Sequence, residues 1–304
     1  MKALVLLSAL LFWSSSFAGE AKTVRLLTIG NSFSANATHY LGDLAKAGGH
    51  TLIHRPLVVG GASFQVHAEK AQKHESDATD KAGLYTSGLG LRESLAADTW
   101  DFVTIQQSSI KSHDFITYQP HAGWLHEYIL KHAPKAKLLV HQTWPYRKDD
   151  VRFANPSGKA GEPKTQEAMY RGLTAAHDRI AAELDGRVIP VGDAFFMADT
   201  DSKWGYQTDT AFDFKTISMP TLPKQMHSLH MGWQWKKQPD GLMKLSMDGH
   251  HASILGEYLG ACVWYEVLFG ESVVGNSFVL NGIEEDDTRF LQEVAHKAVQ
   301  ARAK

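Results

Sequence analysis

The chain has 304 residues, 43% of them hydrophobic and 21% charged, the composition of a globular protein with a sizeable core. Its formal net charge of −2 gives no basic footprint for nucleic acid, and its single cysteine, Cys262, excludes an internal disulfide or a thiolate zinc cluster within one chain. The 16 histidines contain no H-E-x-x-H pair, so no metal and no other cofactor is expected.

Residues 1–18 read as an export signal. Lys2 gives the positive start, Ala3 to Trp13 the apolar run, and Ser16-Phe17-Ala18 a small-x-small cleavage site before Gly19. The apolar run is too short for a stable membrane anchor, so an exported chain, periplasmic or secreted, is expected. Thr23 to Ile29 is a largely apolar run bounded by Gly30, as in a buried parallel strand. Leu41, Leu44 and Ala45 then recur at helical spacing up to Gly48-Gly49. Thr51 to Val59 reads as a second strand closed by Gly60-Gly61, Trp100 to Gln106 as a third, Ala136 to Trp144 as a fourth and Gly186 to Gly192 as a fifth. Helical patterns lie between them at His121 to His132 and at about Thr165 to Leu184.

This alternation predicts an α/β fold: a five-stranded parallel sheet covered on both faces, a three-layer α/β/α sandwich with ligands beyond the carboxyl ends of the strands. With no internal repeat and no low-complexity linker, residues 19–304 are expected to form one domain. Its long insertion, at about 199–247, has little periodicity and is rich in Trp, Met, Pro and His, as functional loops or lids often are.

Two stretches carry candidate chemistry. In "IGNSFS", Ser32 follows the first strand at a strand-to-helix corner, where a serine either caps the helix or acts as a nucleophile. In "DGHHAS", Asp248 and His251 stand at D-x-x-H spacing, on a turn before an expected amphipathic helix that Gly270 closes. A carboxylate there accepts from one imidazole nitrogen and leaves the other free as a base; alternatively, it caps the helix.

The two blocks together resemble the SGNH (GDSL-type) hydrolase superfamily, in a branch that writes G-N-S-F-S where most members write G-D-S-x-S. The resemblance spans about Leu26 to Phe269 and implies a flavodoxin-like fold with Ser32 as nucleophile, His251 as general base and Asp248 as its orienting acid. It also implies an oxyanion hole built from the N–H of Ser32 and a glycine after the second strand, with Gly61 the better fit and Gly60 the alternative. The third block departs from the pattern: "VTIQQSS" has no asparagine, so Gln106, Gln107 or Ser108 must supply the third donor. The branch's hydrophobic-Gln pair points to Gln106, with Gln107 facing the opposite way. Asn31 replaces the usual aspartate, keeping its hydrogen-bonding shape but not its charge.

The resulting expectation is an exported serine esterase acting on a small-molecule or glycan ester, with O-acetyl groups on carbohydrate favoured by analogy. An acyltransferase or a non-catalytic glycan-binding protein on the same fold are the alternatives. Trp144, at the end of the fourth strand, and Trp204, Trp233 and Trp235, in the insertion, are candidate platforms for a sugar ring, or else simply packed.

Overall fold

The computed structural model describes residues 20–154 and 162–303, so the export-signal reading lies outside the described residues. The first half runs β1 (Thr23–Gly30), α1 (Ser32–Ala37), α2 (Leu41–Ala47), β2 (Thr51–Val58), α3 (Phe64–Ser76), α4 (Leu91–Ala96), β3 (Phe102–Ile105) and α5 (His121–His132). The second half runs β4 (Lys137–His141), α6 (Val151–Ala154), α7 (Gln166–Glu183), β5 (Arg187–Ile189), α8 (Val191–Asp199), β6 (His230–Lys237), β7 (Met243–Ala252), α9 (Ile254–Phe269) and α10 (Glu285–Ala301).

The five expected strands form one parallel sheet in the order β2-β1-β3-β4-β5. Alternation along β1 sorts its side chains: Val24 and Leu26 join the core under α1, α2, α8, α9 and α10, while Leu27 and Ile29 join the core under α3, α4 and α5. Ile29 pairs with both Leu57 and Ile105, so β1, β2 and β3 end at one level. The loops that follow them, carrying Ser32, Gly61 and Ser108, therefore share one edge of the sheet.

Two expectations are corrected. The helix after His251 is not amphipathic: α9 is buried along nearly its whole length and on every side. It is apolar all round because it lies among α1, α2, α8 and α10 and has no face left for water. The insertion is also more regular than its composition suggests. Its second part is an antiparallel hairpin, β6 against β7, and Asp248 and His251 lie on β7 rather than on a turn. Ser253 caps α9 immediately afterwards, and Gly270 ends it at φ +67°.

The loop after β4 ties this hairpin to the sheet. The Arg147 backbone N–H donates to Gly249 O at 2.8 Å. Its fully buried guanidinium donates to Asp149 Oδ1 (2.7 Å), Gln225 Oε1 (2.8 Å) and Ser228 Oγ (3.0 Å) and lies 4.3 Å over the Tyr206 ring. A buried cation is tolerated only when its donors are met in this way. Among the described residues, no helix is long and apolar enough to cross a membrane.

Candidate active site

Ser32 opens α1 directly after β1, and the sheet edge brings the end of β7 to it. Ser32 Oγ lies 3.0 Å from His251 Nε2, across 219 residues of sequence. On the far side of the ring, His251 Nδ1 lies 3.0 Å from Asp248 Oδ2 and 3.2 Å from Oδ1. A carboxylate can only accept, so Nδ1 carries the proton and Nε2 faces the serine with its lone pair. The His251 backbone N–H also donates to Asp248 Oδ1 at 3.1 Å, which fixes the carboxylate from below. Half-burial pushes the Asp248 carboxyl up, but the His251 hydrogen bonds and the neighbouring imidazoles outweigh it and hold the group well below the usual carboxylate range.

Nothing in the sequence singles out His250. Its Nδ1 lies 3.1 Å from Asp248 Oδ1, and burial pushes the ring down to about 4, so it is neutral near pH 7 and donates Nδ1–H to the carboxylate. The rings of His250 and His251 stand side by side on the Asp248 carboxylate, their centroids 4.2 Å apart. Among the described residues, Asp248, His250 and His251 are also the one group with metal-ligand spacing, their ligand atoms lying within 4.8 Å. The hydrogen bonds just described already engage that group. In the insertion, His227 and His230 each face a backbone carbonyl, of Trp204 and Pro145.

The glutamine expectation is corrected. Gln106 is fully buried, and its Oε1 accepts from Asn31 N–H (3.3 Å), Ser34 N–H (3.1 Å) and Ser34 Oγ–H (2.6 Å). Its Nε2 donates to Asn31 Oδ1 (2.9 Å) and Gln107 O (2.7 Å), leaving no donor for substrate. Gln107 is equally occupied: Oε1 accepts from Phe64 N–H and Ser108 N–H, and Nε2 donates to Thr117. Both carboxamides hold up the site from behind. Of the three candidates, only Ser108 lines the cleft.

The same network explains Asn31. Its Oδ1 caps α1 by accepting from Phe33 N–H at 2.9 Å, and its Nδ2 donates to Ala62 O at 2.9 Å. A carboxylate could not make the second bond, so asparagine joins the serine corner to the loop carrying Gly61. Gly61 lines the cleft at φ +67°, a left-handed conformation that glycine adopts without strain. With the N–H groups of Asn31, Phe33 and Ser34 all taken by side chains, that of Ser32 meets no acceptor among the described residues. Gly30 makes room for this arrangement, since a Cβ there would come within 2.8 Å of Gln106 Oε1. Replacing Gln106 with leucine would strand three buried donors, and the melting transition should show a loss of at least about 3 kcal/mol at about 1 kcal/mol or more per donor.

The four tryptophans do not reach the cleft. Trp144 is fully buried between Phe33 (4.2 Å) and Phe195 (4.5 Å), and its Nε1–H donates to His250 O at 2.8 Å. It therefore braces β7 against α1. Trp204 stacks on His227 and Phe290 and donates to Asp287. Trp233 packs on Phe214, and Trp235 donates to Thr221 O, so both hold down the insertion. The aromatic side chains that do line the cleft are Phe33 and Tyr146; its volume is about 240 Å³, and Arg152 and Ser109 lie on its wall.

Residues 25–213, more than half of the chain, match the family described as a domain of unknown function, DUF4886. The chain belongs to the DUF4886 family. It is similar to a DUF4886 family protein from Bacteroides uniformis ATCC 8492 at 26% identity and a TM-score of 0.69, over 93% of this chain and 96% of that one. A protein from Slackia heliotrinireducens, provisionally assigned as an SGNH hydrolase, matches at 21% identity and a TM-score of 0.49, over 80% and 98% of the two chains. A provisionally assigned GDSL-like lipase from Parabacteroides merdae ATCC 43184 matches at 13% identity and a TM-score of 0.44, over 83% and 98%. No protein of curated function matches the sequence. This DUF4886 chain has the five-stranded parallel sheet flanked by helices that its alternation of strands and helices predicts.

Proposed function

We propose that this DUF4886 protein is an exported serine esterase that cleaves small acyl groups. One observation carries the reading: Ser32 Oγ, His251 and Asp248 stand in line, with 3.0 Å at each junction. In this reading, His251 Nε2 takes the Ser32 proton as Oγ attacks the ester carbonyl, and Asp248 steadies the imidazolium that forms. The N–H groups of Ser32 and Gly61 meet the developing oxyanion, with the Ser108 hydroxyl as third donor in place of the expected glutamine. His251 then returns the proton to the leaving alcohol and activates water against the acyl-enzyme.

The intact triad favours this over a glycan-binding protein that has lost catalysis. A cleft of about 240 Å³ suits an acetyl or similarly short acyl group better than a fatty acid. Carbohydrate O-acetyl esters keep the support of the superfamily analogy and of the leader sequence but not that of a tryptophan platform.

The test is fluorophosphonate labelling of the purified mature protein, with the site located by peptide mass spectrometry, alongside hydrolysis of p-nitrophenyl acetate. Label on Ser32 and hydrolysis above background are expected. A folded protein that shows neither would overturn the reading.

A further inference from the structure

Among the described residues, the wall of the cleft carries one permanently cationic side chain. Arg152, from α6, lines it beside Tyr146, Ser108, Ser109 and His250, and none of its described lining residues is an aspartate or glutamate. The guanidinium carbon lies 4.9 Å over the Tyr146 ring. That ring is itself fixed, being buried and with its hydroxyl 3.0 Å from Ser109 Oγ. Stacking on an aromatic face orients a guanidinium while leaving the N–H edges of its fork for another partner.

Most other arginines in this fold are neutralised by neighbours, as Arg147 is by Asp149, Arg179 by Glu183, and Arg302 by Asp178 and Asp193; Arg55, over the Trp100 ring, and Arg187 have no such carboxylate among the described residues but do not line the cleft. Among the described residues, no carboxylate comes within 4.0 Å of the Arg152 guanidinium. Asp150 accepts from the Arg152 backbone N–H at 2.8 Å and feels the charge of the guanidinium, but it lies beyond ion-pair distance from it. Glu162 borders the adjoining cavity that shares Arg152 and Tyr146. A stacked cation without a paired carboxylate, on the wall of a hydrolytic cleft, is suited to a ligand's negative charge.

We propose that Arg152 binds a carboxylate carried by the ester that Ser32 attacks, so that the enzyme selects acidic esters over neutral ones. This rests on the serine-esterase reading and names the substrate class for it. The two oxygens of a carboxylate match the guanidinium fork in a bidentate pair, and the serine hydroxyls alongside supply further donors. Arg152 is exposed, which limits the preference to a moderate factor.

Two ester pairs test this. 4-Acetoxybenzoate and its methyl ester differ by a charge on the leaving alcohol; p-nitrophenyl hemisuccinate and p-nitrophenyl butyrate differ by a charge on the acyl group. In at least one pair, kcat/KM should favour the charged member by about tenfold, a preference that weakens with added sodium chloride. Arg152→Gln should collapse that charged-to-neutral ratio, Arg152→Lys should retain part of it, and Arg152→Glu should invert it, with folding checked by circular dichroism. Hydrolysis of both pairs without charge preference, or a ratio that Arg152→Gln does not move, overturns the Arg152 inference and leaves the esterase standing. No hydrolysis of any of the four esters, together with no fluorophosphonate label on folded protein, overturns both.

Discussion

Replacing His251 with alanine should lower kcat for p-nitrophenyl acetate by about 10,000-fold, with Ser32→Ala comparably severe. The magnitude follows from how the parts depend on one another. On the esterase reading, Ser32 Oγ gives its proton to His251 Nε2, 3.0 Å away, and without the imidazole the hydroxyl would have to ionise unaided. Because the two residues act as a unit, the Ser32→Ala/His251→Ala double variant should lose hardly more than either single one. Asp248→Asn should be nearly as damaging, although it changes little in shape. An amide N–H₂ presented to Nδ1 would favour the wrong tautomer and place a proton on Nε2, where the serine needs a lone pair. Asn would also unsettle the contacts that Asp248 makes with the His251 backbone N–H and with His250. Steady-state rates for the four variants decide the matter. Independent, multiplicative losses from Ser32 and His251 would contradict the triad.

Acidification should unfold the protein steeply between about pH 6 and pH 4. Burial holds His67 and His177 at about 4, and His141 and His230 at about 3, against an ordinary value of 6.5. Their hydrogen bonds show why the neutral form is required. His177 gives Nδ1–H to Leu173 O, and His230 gives Nε2–H to Pro145 O, while the other nitrogen of each has no partner for a second proton. Each lowered histidine means that the unfolded chain binds the extra proton first, so stability is lost as pH falls from 6.5 toward the folded value. Asp199 acts in the opposite sense. Burial raises its carboxyl to about 7, so the folded state holds that proton more tightly and gains stability as pH falls through the same window. His230 and Asp199, 3.9 Å apart, are thus both neutral near pH 6 rather than an ion pair. With His54 and His250 also held at about 4, these six histidines against the one carboxyl raised to about 7 mean that the unfolded chain binds several more protons near pH 5, so stability falls by several kcal/mol, to order of magnitude, across that window. Set against a typical total of about 5–15 kcal/mol, this places the transition well above the pH at which ordinary carboxylates titrate. Melting temperatures at pH 7, 6 and 5 would reveal it, and a flat profile would contradict it.

The sheet was legible because parallel strands are written as apolar runs, and Ser32 and Gly61 could be placed because β1 and β2 end in glycine-bearing corners. Asp248 and His251 could be placed only from their D-x-x-H spacing, since they lie on the hairpin. The hairpin was not legible. Its strands face one another outside the main sheet, so β6 and β7 carry mixed polar and apolar residues that mimic an irregular loop. Gln106 was misjudged because sequence shows which groups a side chain has, not which neighbours occupy them. Its carboxamide is consumed by Asn31 and Ser34, two residues from the very block it was expected to assist. The tryptophans were ambiguous for the same reason: an aromatic ring reads alike whether it meets a ligand or, as Trp144 does, Phe33 and Phe195. Arg152 and His250 left no signal, since only the fold brings them beside the serine.

The 219-residue span between Ser32 and His251 has a consequence for biosynthesis. On the serine-esterase reading, Ser32 leaves the ribosome 219 residues before the histidine that would activate it. A nascent chain that has not yet made the hairpin would then hold an ordinary, unreactive serine. Reactivity would arrive only once β7 has been made and packed beside α1.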